Sequence, residues 1–287
     1  MSAASTFGDD ALISITLALS VLGRVDEGLD HLGASEVPPT RKKTPPQLYR
    51  GATDIFMTAR RPKTTESEND GFLYDPDEAV RHLSSVDPTL RRLVERAGAF
   101  NLRLRSMQNP FEALARNIIY QQLHGTAAAA IHRRVLALFG SSKLRPQDIL
   151  NASEESLRGA GLSGAKLAAL KDLASQTVDG TVPTLARLRR MDDEEIVERL
   201  TQVRGIGRWT VEMLLIFRLG RPDVLPVGDF AVRKGFSLVY GMKELPKPKE
   251  LMQYGERWRP FRSVASWYMW RANELPAETL KEISLQS

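Results

Sequence analysis

The sequence predicts an all-α protein. Apolar residues recur three and four positions apart over most of the chain after residue 70, and helix-capping residues precede many of these segments. No alternating pattern longer than four residues indicates a strand there, apart from the ambiguous segment 223–227. With 287 residues, 42% of them hydrophobic, the chain can bury a substantial core.

Residues 1–70 are predicted to form a poorly structured extension before a helical domain over 71–287. The stretch from Glu36 to Asp70 is rich in proline, threonine and charge and has no sustained apolar period. The apolar run 11–23 has the length of a signal-peptide core, but Asp9 and Asp10 precede it where basic residues are expected. This run is also too short to span a bilayer, so we expect no membrane association and a cytoplasmic chain.

Charge and cysteine content limit the classes of function. The formal net charge is +5, and because residues 1–70 hold ten acidic and eight basic side chains, residues 71–287 carry +7. Such a balance is compatible with a polyanionic partner and equally with a solvated basic face. The absence of cysteine excludes disulfides, thiol nucleophiles and iron-sulfur clusters held by cysteine. The four histidines show no metal-ligand spacing, so we expect no catalytic metal.

Caps and apolar spacing predict the first helices. Asp75 and Asp87 are candidate N-caps for helices reaching Leu83 and Ala97. Asn109 followed by Pro110 is typical of a cap and first helical residue, and the next helix runs from about residue 126 to Gly140. Further helices are predicted over Pro146–Asn151, Ser153–Ala160, Ala165–Thr177, Thr184–Arg189 and Asp193–Leu200.

A hairpin between two helices follows. Asp192, with Glu195 three residues later, indicates a capping box at the start of the first helix. Gly205 and Gly207 interrupt that helix, and an apolar stripe then begins at Thr210. Glycines permit close backbone approach, so amides at the start of the second helix can face a phosphate oxygen beside Arg208. The same spacing also suits an ordinary turn between packed helices.

Asp229 stands directly before the segment FAVRKGF. Gly220, Arg221 and Pro222 end the preceding helix, and the short extended piece VLPVG leads to the aspartate. Its position predicts an N-cap for a helix beginning at Phe230.

The hairpin and Asp229 carry a family resemblance together with three further segments. Over about residues 74–275 the chain resembles the helix-hairpin-helix DNA glycosylases, and most of all their 3-methyladenine (alkylpurine) DNA glycosylase II branch. The resemblance implies two helical subdomains with the active-site cleft between them. Residues 1–70 match nothing in the family pattern, including the β-rich N-terminal domain of some members. The segments are NPFEALARNIIYQQLHGTAA, LSGAKLAALKDLA, VRGIGRWTVEMLL, DVLPVGDFAVRKG and ERWRPFRSVASWYMW.

Enzymes of this branch flip a damaged purine out of double-stranded DNA and hydrolyse its N-glycosidic bond, which initiates base-excision repair. The resemblance implies that Asp229 stabilises the oxocarbenium-like transition state, a role compatible with N-capping. Family members that also nick DNA carry a lysine where this chain has Trp209, and a tryptophan cannot form an imine. We therefore expect a monomeric, monofunctional DNA-3-methyladenine glycosylase II without lyase activity. It would be cytoplasmic and nucleoid-associated in a bacterium, or nuclear in a eukaryote.

The resemblance also assigns site residues. Trp209 is expected to stack on the flipped base or, alternatively, to pack between helices, and Trp267 and Tyr268 compete with Trp270 for the second aromatic position. Met213 stands where relatives can carry tyrosine. The expected base-pocket residues are Trp209, Trp270, Met213 and Tyr120. The expected DNA contacts are Gln121, Gln122, Leu123 and His124 in a minor-groove wedge loop, Gly205, Gly207, Arg208 and Thr210 in the hairpin, and Lys166.

A structural monovalent cation, sodium or potassium, is the only cofactor that the resemblance implies. Its expected ligands are the main-chain carbonyls of Thr201, Val203 and Ile206. Two alternatives to the alkylpurine enzyme stay open at this stage. One is a non-catalytic helix-hairpin-helix module that binds damaged or bent DNA, and the other is a glycosylase for a different lesion.

Overall fold

The computed structural model describes residues 71–285 of the chain. Within this range it contains α-helices and one 3₁₀ helix, and the segment 223–227 forms no strand. The predicted extension 1–70, with its apolar run 11–23, lies outside the described residues. The helices are α1 (Pro76–Val86), α2 (Pro88–Ala97), α3 (Pro110–Tyr120), α4 (Gly125–Leu138), α5 (Pro146–Asn151), α6 (Glu154–Gly159), α7 (Gly164–Val178), α8 (Leu185–Leu188), α9 (Asp193–Leu200), α10 (Arg208–Phe217), α11 (Phe230–Val239), α12 (Pro248–Gly255), the 3₁₀ turn Glu256–Trp258, α13 (Arg262–Ala272) and α14 (Ala277–Leu285).

The N-cap residues predicted from the sequence cap their helices in the structure, with one exception. Asp75, Asp87 and Asn109 each accept a hydrogen bond from a backbone amide in the first turn, with proline as the next residue. The capping box predicted at Asp192 is wrong, because its side chain makes no cap hydrogen bond. Helix α9 nevertheless starts where expected, since three acidic residues in its first turn complement the helix dipole.

Two hydrophobic cores divide the described residues into two helical subdomains. The first core is formed by α3–α10 and the second by α1 and α2 together with α11–α14. The second subdomain therefore contains both ends of the described chain, and the first is inserted between them. Leu102 and Trp270 pack against both cores, so they lie at the boundary between the subdomains.

Helices α11 and α13 approach each other very closely at Gly235. A Cβ atom at this position would lie 1.9 Å from the carbonyl oxygen of Met269. Asn273 links the two helices, because its Nδ2 donates to the carbonyls of Ala231 on α11 and Met269 on α13, each at 2.9 Å. The crossing fixes the start of α11, which carries Asp229, relative to Trp270 on α13.

Asp87 ties α1 and α2 to the C-terminal helices. Its Oδ1 accepts the first-turn amides of α2, and its Oδ2 accepts from Tyr240 Oη at 2.7 Å, Trp258 Nε1 at 2.9 Å and Tyr254 Oη at 3.3 Å. Burial and the carboxylate raise the pKa of Tyr240 well above its ordinary value, which keeps its hydroxyl a donor. Hydrogen bonds to the buried Asp87 thereby join four parts of the second subdomain.

No helix within residues 71–285 combines the length and apolar character needed to cross a membrane.

Candidate active site

Asp229 is buried at the N-terminus of α11, with 6% of its surface exposed. Its Oδ1 accepts the backbone N–H of Val232 at 2.8 Å, which confirms the predicted N-cap. The same oxygen accepts from Trp270 Nε1 at 3.0 Å, and Oδ2 accepts from Trp209 Nε1 at 2.8 Å. Three N–H donors from three helices therefore fix both carboxylate oxygens in place.

The two tryptophans reach Asp229 from different subdomains. Trp209 is the second residue of α10, and Trp270 lies in the last turn of α13. The Trp270 ring stacks on Phe217 of α10, with centroids 5.4 Å apart and ring planes 27° apart. Both indoles remain partly exposed, so the boundary between the subdomains is lined by two aromatic rings that share one carboxylate.

Glu212 is a second buried acidic residue near this centre, and it was not predicted as a site residue from the sequence. It lies on α10 three residues after Trp209 and is 7% exposed, and its side chain makes no hydrogen bond within residues 71–285. Burial raises its pKa to about 7, the charges of Asp229 and Glu194 act in the same direction, and Arg208 opposes them. The available signal was a lone carboxylate inside the otherwise apolar segment VEMLLIF.

The raised pKa of Glu212 predicts a pH-dependent gain in stability for Glu212→Gln. Below pH 4.5 the residue is protonated in both states and has no effect. Between that pH and about 7 the unfolded state ionises while the folded state keeps its proton, so the wild type loses stability as pH rises. Above pH 7 the accumulated cost is about 3 kcal/mol. Urea unfolding at pH 5 and pH 8 should show Glu212→Gln gaining on the wild type at the higher pH, and equal behaviour at both values would contradict the assignment.

The hairpin between α9 and α10 presents unused amides to solvent. Gly205 has a φ of +80°, a conformation that favours glycine. Three successive amides donate no hydrogen bond to any described residue, those of Gly207, Arg208 and Trp209. The next amide, that of Thr210, donates to the Gly207 carbonyl at 2.9 Å. Unpaired amides at a helix N-terminus form an anion-binding site. Arg208 is beside them, and its guanidinium pairs with Glu194.

Side chains from α7 and from the loop after α3 hold the hairpin in place. Asp172 Oδ2 accepts the backbone N–H of Arg204 at 2.7 Å, and also Gln176 Nε2 at 2.9 Å. Gln121 Nε2 donates to the Gly205 carbonyl at 2.8 Å. The side chain of Gln121 thus joins the loop after α3 to the hairpin.

The predicted wedge loop is the turn between α3 and α4, since α3 ends at Tyr120. Gln122 is exposed and has a φ of +56°, a left-handed conformation that is uncommon for residues other than glycine. Leu123 is half-buried against the first core, and His124 is exposed with Nδ1 3.0 Å from Thr126 Oγ1. Gln122 is therefore the side chain of this loop that is exposed on a strained backbone.

Tyr120 and Lys166 make internal contacts in the first subdomain. Tyr120 is 1% exposed, and Arg116 donates to its hydroxyl at 2.7 Å while lying over its ring. Lys166 Nζ donates to the Ile119 carbonyl at 2.6 Å, and burial lowers the pKa of this lysine to about 8. Met213 is partly buried against the first core. The structure thus brings Asp229, Trp209 and Trp270 together, while Tyr120 and Lys166 support the end of α3.

Two of the three main-chain carbonyls predicted to bind a monovalent cation are free of hydrogen bonds to described residues. Thr201 O and Ile206 O accept no hydrogen bond from described residues, whereas Val203 O accepts the Ile206 amide at 3.0 Å. Free carbonyl oxygens are suitable ligands for a hard cation. In residues 71–285, histidine and carboxylate side chains form no group of three or more that could hold a metal.

The fold and this site together define an all-helical protein of the helix-hairpin-helix class. The chain belongs to the HhH-GPD superfamily of base excision DNA repair proteins, whose family model matches residues 115–260. The match spans the loop after α3, the hairpin and Asp229.

Relatives in yeast and bacteria are similar over most of the described residues. The DNA-3-methyladenine glycosylase 1 of Schizosaccharomyces pombe is 39% identical over 197 residues, which cover 68% of this chain and 86% of the relative. A solved structure of a 3-methyladenine DNA glycosylase from the same organism, in complex with abasic DNA, has a TM-score of 0.60 at 37% identity and covers 70% of this chain and 98% of that one. A DNA-3-methyladenine glycosidase from Bacillus halodurans has a TM-score of 0.66 at 34% identity, covering 73% and 96%.

Proposed function

We propose that this protein excises alkylated purines of the 3-methyladenine and 7-methylguanine type from double-stranded DNA and so initiates base-excision repair. The observation that carries the proposal is the buried Asp229 carboxylate, held by two indoles at the boundary between the subdomains. A protein that only binds bent DNA needs neither the carboxylate nor the aromatic rings. The similarity to enzymes named for 3-methyladenine supports the alkylpurine substrate class.

The proposed reaction is hydrolysis of the bond between C1′ and the purine nitrogen. The base leaves with the bonding electron pair, which neutralises the positive charge of the alkylated ring, and an oxocarbenium ion develops on the sugar. Water adds to C1′ and loses a proton. Asp229 stabilises the sugar cation and accepts that proton or orients the attacking water. Its charge is effective because both carboxylate oxygens are held in place before the reaction begins.

The tryptophans have two roles in this proposal. Their N–H edges orient Asp229, which leaves ring surface for the base. Trp270 is stacked on Phe217 on one side, whereas no aromatic ring among the described residues stacks on Trp209. A cationic purine would gain cation–π attraction from the exposed part of Trp209.

Contacts to DNA come from backbone groups and a loop. The free amides of Gly207, Arg208 and Trp209 would bind a phosphate, and a monovalent cation on Thr201 and Ile206 carbonyls would stabilise the hairpin in that geometry. The loop after α3 would fill the space left by the flipped nucleotide, with exposed Gln122 as the leading candidate. We propose that the protein acts as a monomer.

Base release and strand cleavage can be measured together on one substrate. Methylated duplex DNA treated with the wild-type protein should lose 3-methyladenine or 7-methylguanine, with no strand break until alkali is added and no adduct trapped by borohydride. The reason is that Trp209 offers no amine for an imine to the sugar. Unmethylated duplex is the control. DNA binding without base release would contradict the enzyme, and a break before alkali would contradict the absence of lyase activity.

A further inference from the structure

Helix α7 supports both of the loops that are proposed to contact DNA. Lys166, near the start of α7, donates through Nζ to the Ile119 carbonyl in the last turn of α3, at 2.6 Å. Two turns further along α7, Asp172 Oδ2 accepts the Arg204 amide of the hairpin at 2.7 Å. The start of the wedge loop and the hairpin are therefore attached to the same helix.

Gln121 connects the two loops directly. Its side-chain Nε2 donates to the Gly205 carbonyl of the hairpin at 2.8 Å, and its backbone N–H donates to the Asn117 carbonyl at 3.0 Å. This residue is thus fixed to α3 by its backbone and to the hairpin by its side chain. The free amides that would bind a phosphate begin at Gly207, two residues after Gly205.

The backbone of Gln122, the next residue, is held in a left-handed conformation with a φ of +56°, and its side chain is exposed. This conformation is unfavourable for a residue with a side chain, and it persists where the neighbouring residues are held in place. Gln121 is held by the hairpin, and Leu123 packs against the first core. The contact between Gln121 and the hairpin therefore helps to set the direction of the Gln122 side chain.

We propose that Gln121 is a positioning residue, which ties the wedge loop to the hairpin so that Gln122 is directed toward the gap in the duplex when the hairpin binds a phosphate. The inference rests on the proposed function and deepens it. Without this hydrogen bond the hairpin amides still bind a phosphate, but the wedge loop samples more conformations, and ordering it on insertion costs more entropy. The loss should therefore fall on recognition of the gap rather than on binding to DNA in general.

Two duplexes of the same sequence separate these effects, one undamaged and one that contains an uncharged tetrahydrofuran abasic-site analogue. The ratio of their dissociation constants measures the preference for the gap. Gln121→Met keeps the length of the side chain and removes the N–H donor, so it should lower this preference about fivefold, the effect of one hydrogen bond. Its affinity for the undamaged duplex should stay close to that of the wild type. Gln147→Met is the matched control, because it makes the same substitution at an exposed position on α5, and it should keep the wild-type preference.

A double variant tests whether Gln121 acts through Gln122. Gln122→Ala removes the wedge side chain, so adding Gln121→Met in this background should cause no further loss of preference. A merely structural role would lower the preference by the same factor in both backgrounds, and that result would overturn the proposal. Equal losses of affinity for the two duplexes, an unchanged preference in Gln121→Met, or a wild type without preference would overturn it as well.

Gln121→Ala removes the same donor by truncation, so the proposal is tested even where Gln121→Met folds poorly. Both variants should unfold near the wild-type midpoint, because the hydrogen bond lies at the surface. The binding assay needs no base release. Failure of the proposed function would therefore show separately, as a wild type that prefers the abasic duplex and releases no methylated base.

Discussion

Asp229→Asn should reduce base release from methylated DNA by about 10²- to 10³-fold, measured under single-turnover conditions. The substitution removes the negative charge that opposes the developing sugar cation and retains the size of the side chain. Because the three N–H donors already hold the carboxylate in place, its charge is available without rearrangement during the reaction. The effect should therefore appear in the chemical step.

The N-cap role of Asp229 makes folding and binding the necessary controls. Asparagine can still accept the Val232 amide and the Trp270 indole through one oxygen, but its NH₂ group would face the Trp209 N–H. We expect a loss of about 1 to 2 kcal/mol in the free energy of unfolding and an affinity for abasic DNA within a fewfold of wild type. Trp209→Phe removes the same hydrogen bond and keeps the charge, so it should lose far less activity.

Three outcomes separate the roles of Asp229. A large loss of base release with near-normal DNA affinity supports the catalytic role. Parallel losses of release, affinity and thermal stability would make the N-cap role dominant, and near-normal release by Asp229→Asn would remove this residue from catalysis.

Local signals predicted most of the helices correctly. An N-cap acts within one helical turn, so a short segment determines where a helix begins. Examples are Asp87, Asn109 and Asp229. Helices α12 and α14 were not predicted from the sequence. Each buries only two residues, and the proline- and lysine-rich start of α12 is also typical of a loop.

Long-range contacts explain what the sequence did not reveal about the site. The N-cap position of Asp229 could be predicted from the residues next to it. Its hydrogen bonds to Trp209 and Trp270 could not, because they join residues 20 and 41 positions apart. Glu212 was overlooked because only the packed structure shows that this acidic residue is buried. The link between Gln121 and the Gly205 carbonyl spans 84 positions and has no local signal either.

Gly235→Ala should destabilise the protein by about 3 kcal/mol or more, because α11 and α13 leave no room for a methyl group where they cross. The added methyl group would lie 1.9 Å from the Met269 carbonyl oxygen and 2.7 Å from its carbonyl carbon. Backbone atoms in a buried helix cannot rotate away as a side-chain end would, so α11 and α13 must separate. Gly159→Ala is the matched control, because a Cβ there meets nothing within 4 Å near the end of α6.

The same substitution tests whether this crossing positions the active site. Trp270 follows Met269 in α13, and Asp229 caps α11, so separating the helices lengthens the Trp270–Asp229 hydrogen bond. At a temperature where Gly235→Ala is still folded, its base release should be lower than that of Gly159→Ala, while the affinity for abasic DNA through the hairpin changes little. A normal unfolding midpoint for Gly235→Ala would show that the crossing relaxes freely. Normal base release with lowered stability would show that Asp229 keeps its position through Trp209 and Val232 alone.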